Sequence, residues 1–202
     1  MDTDEKIALI VEDSIANYRR VFGMAMSSAV DLTPIERLMC AGFLVHSLQC
    51  SFPPVTIDFC LGRSLDDCIN EARKLACRVV ITPQVEVGPY RADFVVVGCN
   101  AAGNYCAVVV ECDGHDYHEK TKKQAANDKK RDRFMVQNDL HLLRYTGSEI
   151  WRDPTKCAYE VIGFVGAKVR EWEFMRAARE EEKRDRARNA ANAGKPWRKE
   201  YE

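Results

Sequence analysis

The sequence predicts an α/β domain with the element order α, then β-β-β-α-β-α. Three observations carry this. Runs rich in β-branched residues recur at VVITPQVEV (79–87), RADFVVVG (91–98) and YCAVVVEC (105–112), each bounded by turn residues. Gly88-Pro89 separates the first two, and Gly98 to Asn104 separates the second from the third. Apolar residues at helical spacing precede and follow this block, and a further short strand is expected at LHLLRYTG (140–147).

Taken in order, residues 5–22 place Ile7, Ile10, Val11, Ile15, Tyr18 and Phe22 on one helical face, which predicts an amphipathic helix docked on the core. Thr33-Pro34-Ile35-Glu36 reads as a capping box with proline at the first helical position, so a helix over 34–49 follows. Residues 51–62, with Pro53-Pro54, read as a loop or insertion, and Ser64 caps a helix reaching residue 77. After the three strands come a polar, lysine-rich helix over 119–138, the strand at 140–147, and a long helix from 155 onward. From Lys168 to Glu202 eleven Lys and Arg accompany eight Asp and Glu, the pattern of a solvated helix laced with i,i+4 ion pairs that frays beyond Asn189. The expected organisation is an N-terminal helical extension (1–32), a core domain (33–167) and a charged C-terminal helix and tail (168–202).

At 202 residues, with 46% apolar and 30% charged residues, the composition is that of an ordinary soluble domain. No apolar run approaches the roughly 20 residues that span a bilayer, and the acidic start Met1-Asp2-Thr3-Asp4-Glu5 lacks the basic region of a secretory signal. A cytoplasmic, membrane-free protein is expected. The nine cysteines form no CxxC pair and mostly sit in apolar stretches, as free buried thiols do. A formal charge of −1 confines any nucleic-acid affinity to local basic patches. One such patch is Glu119–Arg133, where seven Lys and Arg face three acids. Lys120, Lys122, Lys123, Lys130 and Arg131 there, with Arg144, are the candidate phosphate contacts. A solvated helix face would carry the same composition.

The candidate chemistry lies on the second and third strands. A turn centred near Ala102 sets Asp93 directly opposite Glu111, and side chains so opposed share a face. Asp113, two residues on, points the same way if the strand continues. These acids are embedded among Val95, Val97, Val108, Val109 and Val110, where isolated carboxylates repel and resist ionisation. A divalent cation relieves that conflict, and oxygen-only ligands suit Mg²⁺ or Mn²⁺. The same spacing also fits a strand-end salt-bridge set with Arg91, Arg131 or Arg144. Cys112, His115 and His118 lack a fourth ligand at zinc-site spacing.

The succession of RADF, VVVECDG with a following His118, then Asp128, Arg131, Asp132 and LLRY resembles the PD-(D/E)XK nuclease superfamily, in the small-domain branch related to very-short-patch-repair endonucleases. The resemblance covers about residues 33–165. It implies a restriction-endonuclease-like αβββαβ core with a mixed central sheet flanked by helices, and a metal-dependent endonuclease acting on DNA. In this comparison Asp93 takes the place of the main metal ligand and Glu111 that of the second acid. Asp113 stands where the wider superfamily has a lysine that orients and deprotonates the attacking water, whereas the small-domain branch commonly has this Asp. His118 matches a histidine suited to general-base or leaving-group-acid work, or to a structural loop hydrogen bond. Glu36 matches a helix glutamate that reaches the metal through water, although its place in the Thr33 capping box already gives it a local role. Gln84 matches a strand glutamine, and an exposed strand polar residue would look alike. Arg131 and Arg144 fall on matching positions. Two other functions stay open: a nucleic-acid-binding module on the same fold without catalysis, and an inhibitor or scaffold that uses the charged tail with Trp151, Trp172 and Trp197. The oligomeric state is open too, a dimer included.

Overall fold

The computed structural model describes residues 3–29, 31–48, 54–60, 62–75, 78–113 and 122–193, with side chains at all of these except 3, 4, 10, 122–125 and 191–193. The elements run α1 (Thr3–Ser27), α2 (Pro34–Leu48), β1 (Val55–Ile57), α3 (Leu65–Lys74), β2 (Val79–Val87), β3 (Tyr90–Cys99), β4 (Tyr105–Asp113), α4 (Lys122–Gln137), β5 (His141–Thr146), α5 (Gly147–Arg152) and α6 (Pro154–Ala193). They form one five-stranded mixed sheet in the order β1-β2-β3-β4-β5. The inner pairs β2–β3 and β3–β4 are antiparallel, and the outer strands β1 and β5 run parallel to their neighbours. Helices flank both faces, so this is the mixed α/β architecture that the sequence predicts. Among the described residues no helix is long and apolar enough to cross a membrane.

Turn chemistry explains the strand boundaries. Gly88 adopts φ 58° between β2 and β3, and a Cβ there would lie 2.3 Å from Cζ of Phe134 on α4, so both conformation and space require glycine. In the β3–β4 turn the buried Asn100 side chain accepts hydrogen bonds from the Ala102 and Asn104 amides, each 3.0 Å, and Gly103 supplies φ 84°. Ser64 and Asp67 form a reciprocal capping box at the start of α3.

One face of the sheet packs Val79, Ile81, Phe94, Val96, Val108 and Val110 against Met39, Cys40 and Phe43 of α2 and Ala158, Val161 and Val165 of α6. The Phe43 and Phe94 rings meet edge-on at 5.5 Å. The opposite face packs Val80, Val95, Val97 and Val109 against Cys68, Ile69 and Ala72 of α3 and Met135 of α4. A strand buried on both faces must be apolar at every position, which is why β2, β3 and β4 read as valine runs instead of alternating.

At one point the alternation slips. Val95 and Val97 face α3 and α4 while Phe94 and Val96 face the other way, yet Ala92 joins the α3–α4 side. In β2 the same shift separates Val80 from Val85, and Gln84 between them has φ 53°. The ladder keeps Pro83↔Phe94 and Val85↔Ala92, so both strands turn over together at Gln84 and Asp93.

Several expectations need correction. The stretch read as a loop contains β1, too short and too proline-bounded for its parallel pairing with β2 to register as a pattern. Thr146 caps an extra short helix, α5, through a reciprocal box with Glu149. The last helix continues to Ala193 instead of fraying beyond Asn189. Most importantly, the apolar face of α1 is not docked. Ile7, Val11, Ile15 and Tyr18 are exposed, and it is the C-terminal end, through Met26 and the following Ala29, that packs on the core.

Gly42 brings α2 against α6, because a Cβ at this position would lie 2.3 Å from the Pro154 carbonyl oxygen. Gly42→Ala is therefore expected to cost about 1–3 kcal/mol, each about 2–4 °C in melting temperature for a chain of this size. An unchanged thermal melt would mean that the two helices are not in such close contact.

Candidate active site

The site is built where the β3–β4 ladder ends. That ladder has the register expected from the sequence and closes with Phe94↔Val110. The next pair in this register would be Asp93 with Glu111, but no further ladder pair forms between these strands. Beyond Val110, β4 continues against β5, pairing Glu111↔Arg144, Cys112↔Tyr145 and Asp113↔Thr146. The Asp93 carboxylate occupies the opening: its Oδ2 accepts the Cys112 N–H at 2.7 Å, replacing a carbonyl acceptor from β3. The direct cross-strand pairing expected for Asp93 and Glu111 thus gives way to a carboxylate inserted between two strands.

Glu36, buried in the first turn of α2, completes the expected capping box. Its Oε2 accepts the Thr33 N–H at 2.9 Å, and its own N–H donates to Thr33 Oγ1 at 3.4 Å. Its carboxyl also lies near enough to Asp93 to raise that group's pKa. Glu36 thus forms its capping box while lying beside Asp93.

Burial pushes the Asp93 carboxyl up to about 6; the Cys112 amide and the Arg131 charge pull it back, and Glu36 raises it again. Glu111, 5% exposed, is pushed up to about 8 by burial and then by the charge of Asp93, against the opposing pull of Arg131 and Arg144, with Asp113 adding to the rise. Its own burial, and then the charges of the same carboxylates, push the Cys112 thiol far up.

Two arginines answer these acids. The Arg131 guanidinium, on α4, forms an ion pair with Glu111, donates to the Arg91 carbonyl at 2.8 Å and lies 5.8 Å from the Tyr90 ring centroid. Its Nε–H is buried and has no acceptor among the described residues. Arg144, next to Glu111 across the β4–β5 ladder, pairs with Asp132 of α4 at 2.6 Å. Gln84 faces Asp93 from β2 in the left-handed conformation, strained backbone beside the inserted carboxylate.

The structure thus brings together Asp93, Glu111, Glu36 and Arg131, with Asp113, Arg144 and Gln84 around them. Lys130 is exposed on α4, whose backbone begins at Lys122 and Lys123. The side chains of Lys122 and Lys123, like His115, His118 and Lys120 entirely, lie outside the described residues. Sequence reasoning missed the Cys112 amide as the partner of Asp93, a backbone group that leaves no compositional trace. It also missed Asp132 as the partner of Arg144, for which helix spacing gave no signal.

The donor set fits a hard divalent cation in chemistry: carboxylates held ionisable at high cost, beside an orphaned buried guanidinium donor suited to a phosphate oxygen. Among the described residues no three His, Cys, Asp or Glu side chains are arranged to hold an ion together. Protein ligation would therefore rest on few carboxylates, and Arg131 supplies the counter-charge at Glu111.

The raised carboxyls set a pH dependence. Relative to ordinary values of 3.8 and 4.5, the native state holds the protons of Asp93 and Glu111 more tightly than the unfolded chain. Stability is greatest below about pH 4 in this respect and falls as pH rises toward 8. Asp93→Asn keeps an acceptor for the Cys112 amide and removes the charge. It is expected to melt about 2–4 °C above wild type at pH 8, the gap closing toward pH 4. A variant melting below wild type at pH 8 would contradict this account of the site.

Residues 69–165 match the model of a family described as REase_MTES_1575. The matched stretch runs from α3 into α6 and takes in Asp93, Glu111, Asp113, Arg131 and Arg144, but not Glu36. No curated protein and no solved structure matches the chain. The matched family is a restriction-endonuclease-like one, and the match, over just under half of the chain, supports the superfamily resemblance drawn from the motifs.

Proposed function

We propose that the chain is a divalent-metal-dependent endonuclease that hydrolyses phosphodiester bonds in DNA, from the branch related to very-short-patch-repair endonucleases. The observation that carries this reading is the pair of buried, charge-frustrated carboxylates, Asp93 and Glu111, at the splayed end of β3 and β4 with Arg131 beside them. Seven described cysteines are free, which accords with a reducing compartment, the cytoplasm.

Mg²⁺ or Mn²⁺ would be held by Asp93 and Glu111, with Asp113 close by, and bound there it would supply Lewis acidity at the scissile phosphate and a water acidic enough to attack. Asp93 is fixed by the Cys112 amide, so its free oxygen has a set direction. Glu36 and Gln84 flank it and orient water. Asp113 cannot donate to the phosphate as a lysine would; Arg131 offers that charge instead, through the Nε–H that has no acceptor among the described residues. His118 takes or returns a proton, as the resemblance implies. Lys120, Lys122, Lys123, Lys130 and Arg144 hold the phosphate backbone.

A second reading, a nucleic-acid-binding module without catalysis, is favoured by the Arg131 ion pair on Glu111 and by the aspartate at 113. Plasmid cleavage separates the two. Wild type with Mg²⁺ or Mn²⁺ is expected to nick or cut, chelation to abolish the activity, and Asp93→Ala or Glu111→Ala to lower the rate by about 100-fold or more. Salt-sensitive DNA binding with no cleavage and a silent calorimetric metal titration would establish the second reading. Cleavage unchanged in Asp93→Ala would refute the site assignment.

A further inference from the structure

The undocked face of α1 is an apolar surface that the fold leaves uncovered among the described residues. Ile7, Val11, Ile15 and Tyr18 are 54%, 50%, 47% and 38% exposed, and together with the half-buried Phe22 they form one continuous stripe. At about 100° per residue these five positions span an arc of about 80°. A helix of this length owes its stability mainly to the packing of such a face, and a continuous exposed apolar stripe marks an interaction surface.

The charges beside the stripe select the occupant. Glu12 and Arg19 are seven residues apart, so both lie on the same flank, roughly 90° from the centre of the stripe. Both are exposed, and neither forms an ion pair among the described residues. When two helices pack antiparallel about a twofold axis, each flank meets the same flank of the other copy. With that axis near Ile15, Ile7 meets Phe22 and Val11 meets Tyr18 of the second copy. Glu12 then comes opposite Arg19 of the second copy, and Arg19 opposite its Glu12. A parallel pair would set this charged flank against the flank that carries Ser14, Asn17 and Val21, with no charge to meet it.

We infer that α1 is a homodimerisation helix, which pairs antiparallel with α1 of a second copy of this chain through Ile7, Val11, Ile15, Tyr18 and Phe22, with reciprocal Glu12–Arg19 ion pairs at its edge. The contact is isologous, so the dimer closes and presents two copies of the rest of the chain related by a twofold axis.

Sedimentation velocity of the full chain over a wide concentration range tests this. Wild type is expected to show a reversible monomer–dimer equilibrium. Ile15→Asp, at a position exposed in the monomer, is expected to weaken association by about 100-fold or more while leaving the circular dichroism spectrum unchanged. Glu12→Arg and Arg19→Glu should each weaken it by about tenfold. An equimolar mixture of those two variants, whose charges are complementary only between copies, should recover the wild-type affinity, as should the double swap E12R/R19E. Monomeric wild type at every concentration overturns the inference. So does a dimer indifferent to Ile15→Asp, or one whose charge swaps fail to rescue each other; the face would then belong to a different partner. None of these results depends on whether the chain cleaves DNA.

Discussion

The site depends on a single charged hydrogen bond, from the Cys112 amide to the Asp93 carboxylate. At the point where β3 and β4 part, the backbone of β4 would lose an acceptor in an apolar setting, and an unmatched buried amide is costly. The carboxylate fills that need, so it is drawn in between two strands and held close to Glu36 and Glu111. Other unusual features cluster around that insertion. The inside–outside alternation slips in β2 and β3 together, Gln84 takes a left-handed backbone, and Glu111 recruits Arg131 as counter-charge.

The sheet was legible in the sequence because strands buried on both faces must be uniformly apolar, and glycine and asparagine mark where they turn. Even the register of β3 against β4 could be placed, since a five-residue turn between two valine runs leaves few alternatives. What escaped was set by tertiary context. β1 is too short to carry a period, and the exposure of α1 cannot be read from a pattern that a docked helix would share. At the site, proximity of the acids was legible from spacing, whereas the way they meet was not. A side chain that replaces a ladder carbonyl has no sequence signature, and Arg131 reaches Glu111 from a helix whose register on the sheet depends on packing around Phe134 and Met135.

The electrostatics of the site work against the stability of the fold. Buried acids near one another resist ionisation at the pH where ligands of a cation must be charged, and the arginines only partly offset this. A fold concerned with stability alone would place neutral residues here. The retention of charge in an apolar setting is the physical content of the functional reading, independent of the family match.

The contact between Gly88 and Phe134 has a reach beyond its own turn. Phe134 lies one helical turn from Arg131 on α4, its ring packs edge-on to Tyr90 at 5.3 Å, and it fills the space where a side chain at 88 would stand. The β2–β3 turn therefore acts as a gauge that sets how close α4 can lie to the sheet, and with it the height of the Arg131 guanidinium over the carboxylates. A lesion at position 88 would resemble damage to the chemistry itself, although none of its atoms takes part.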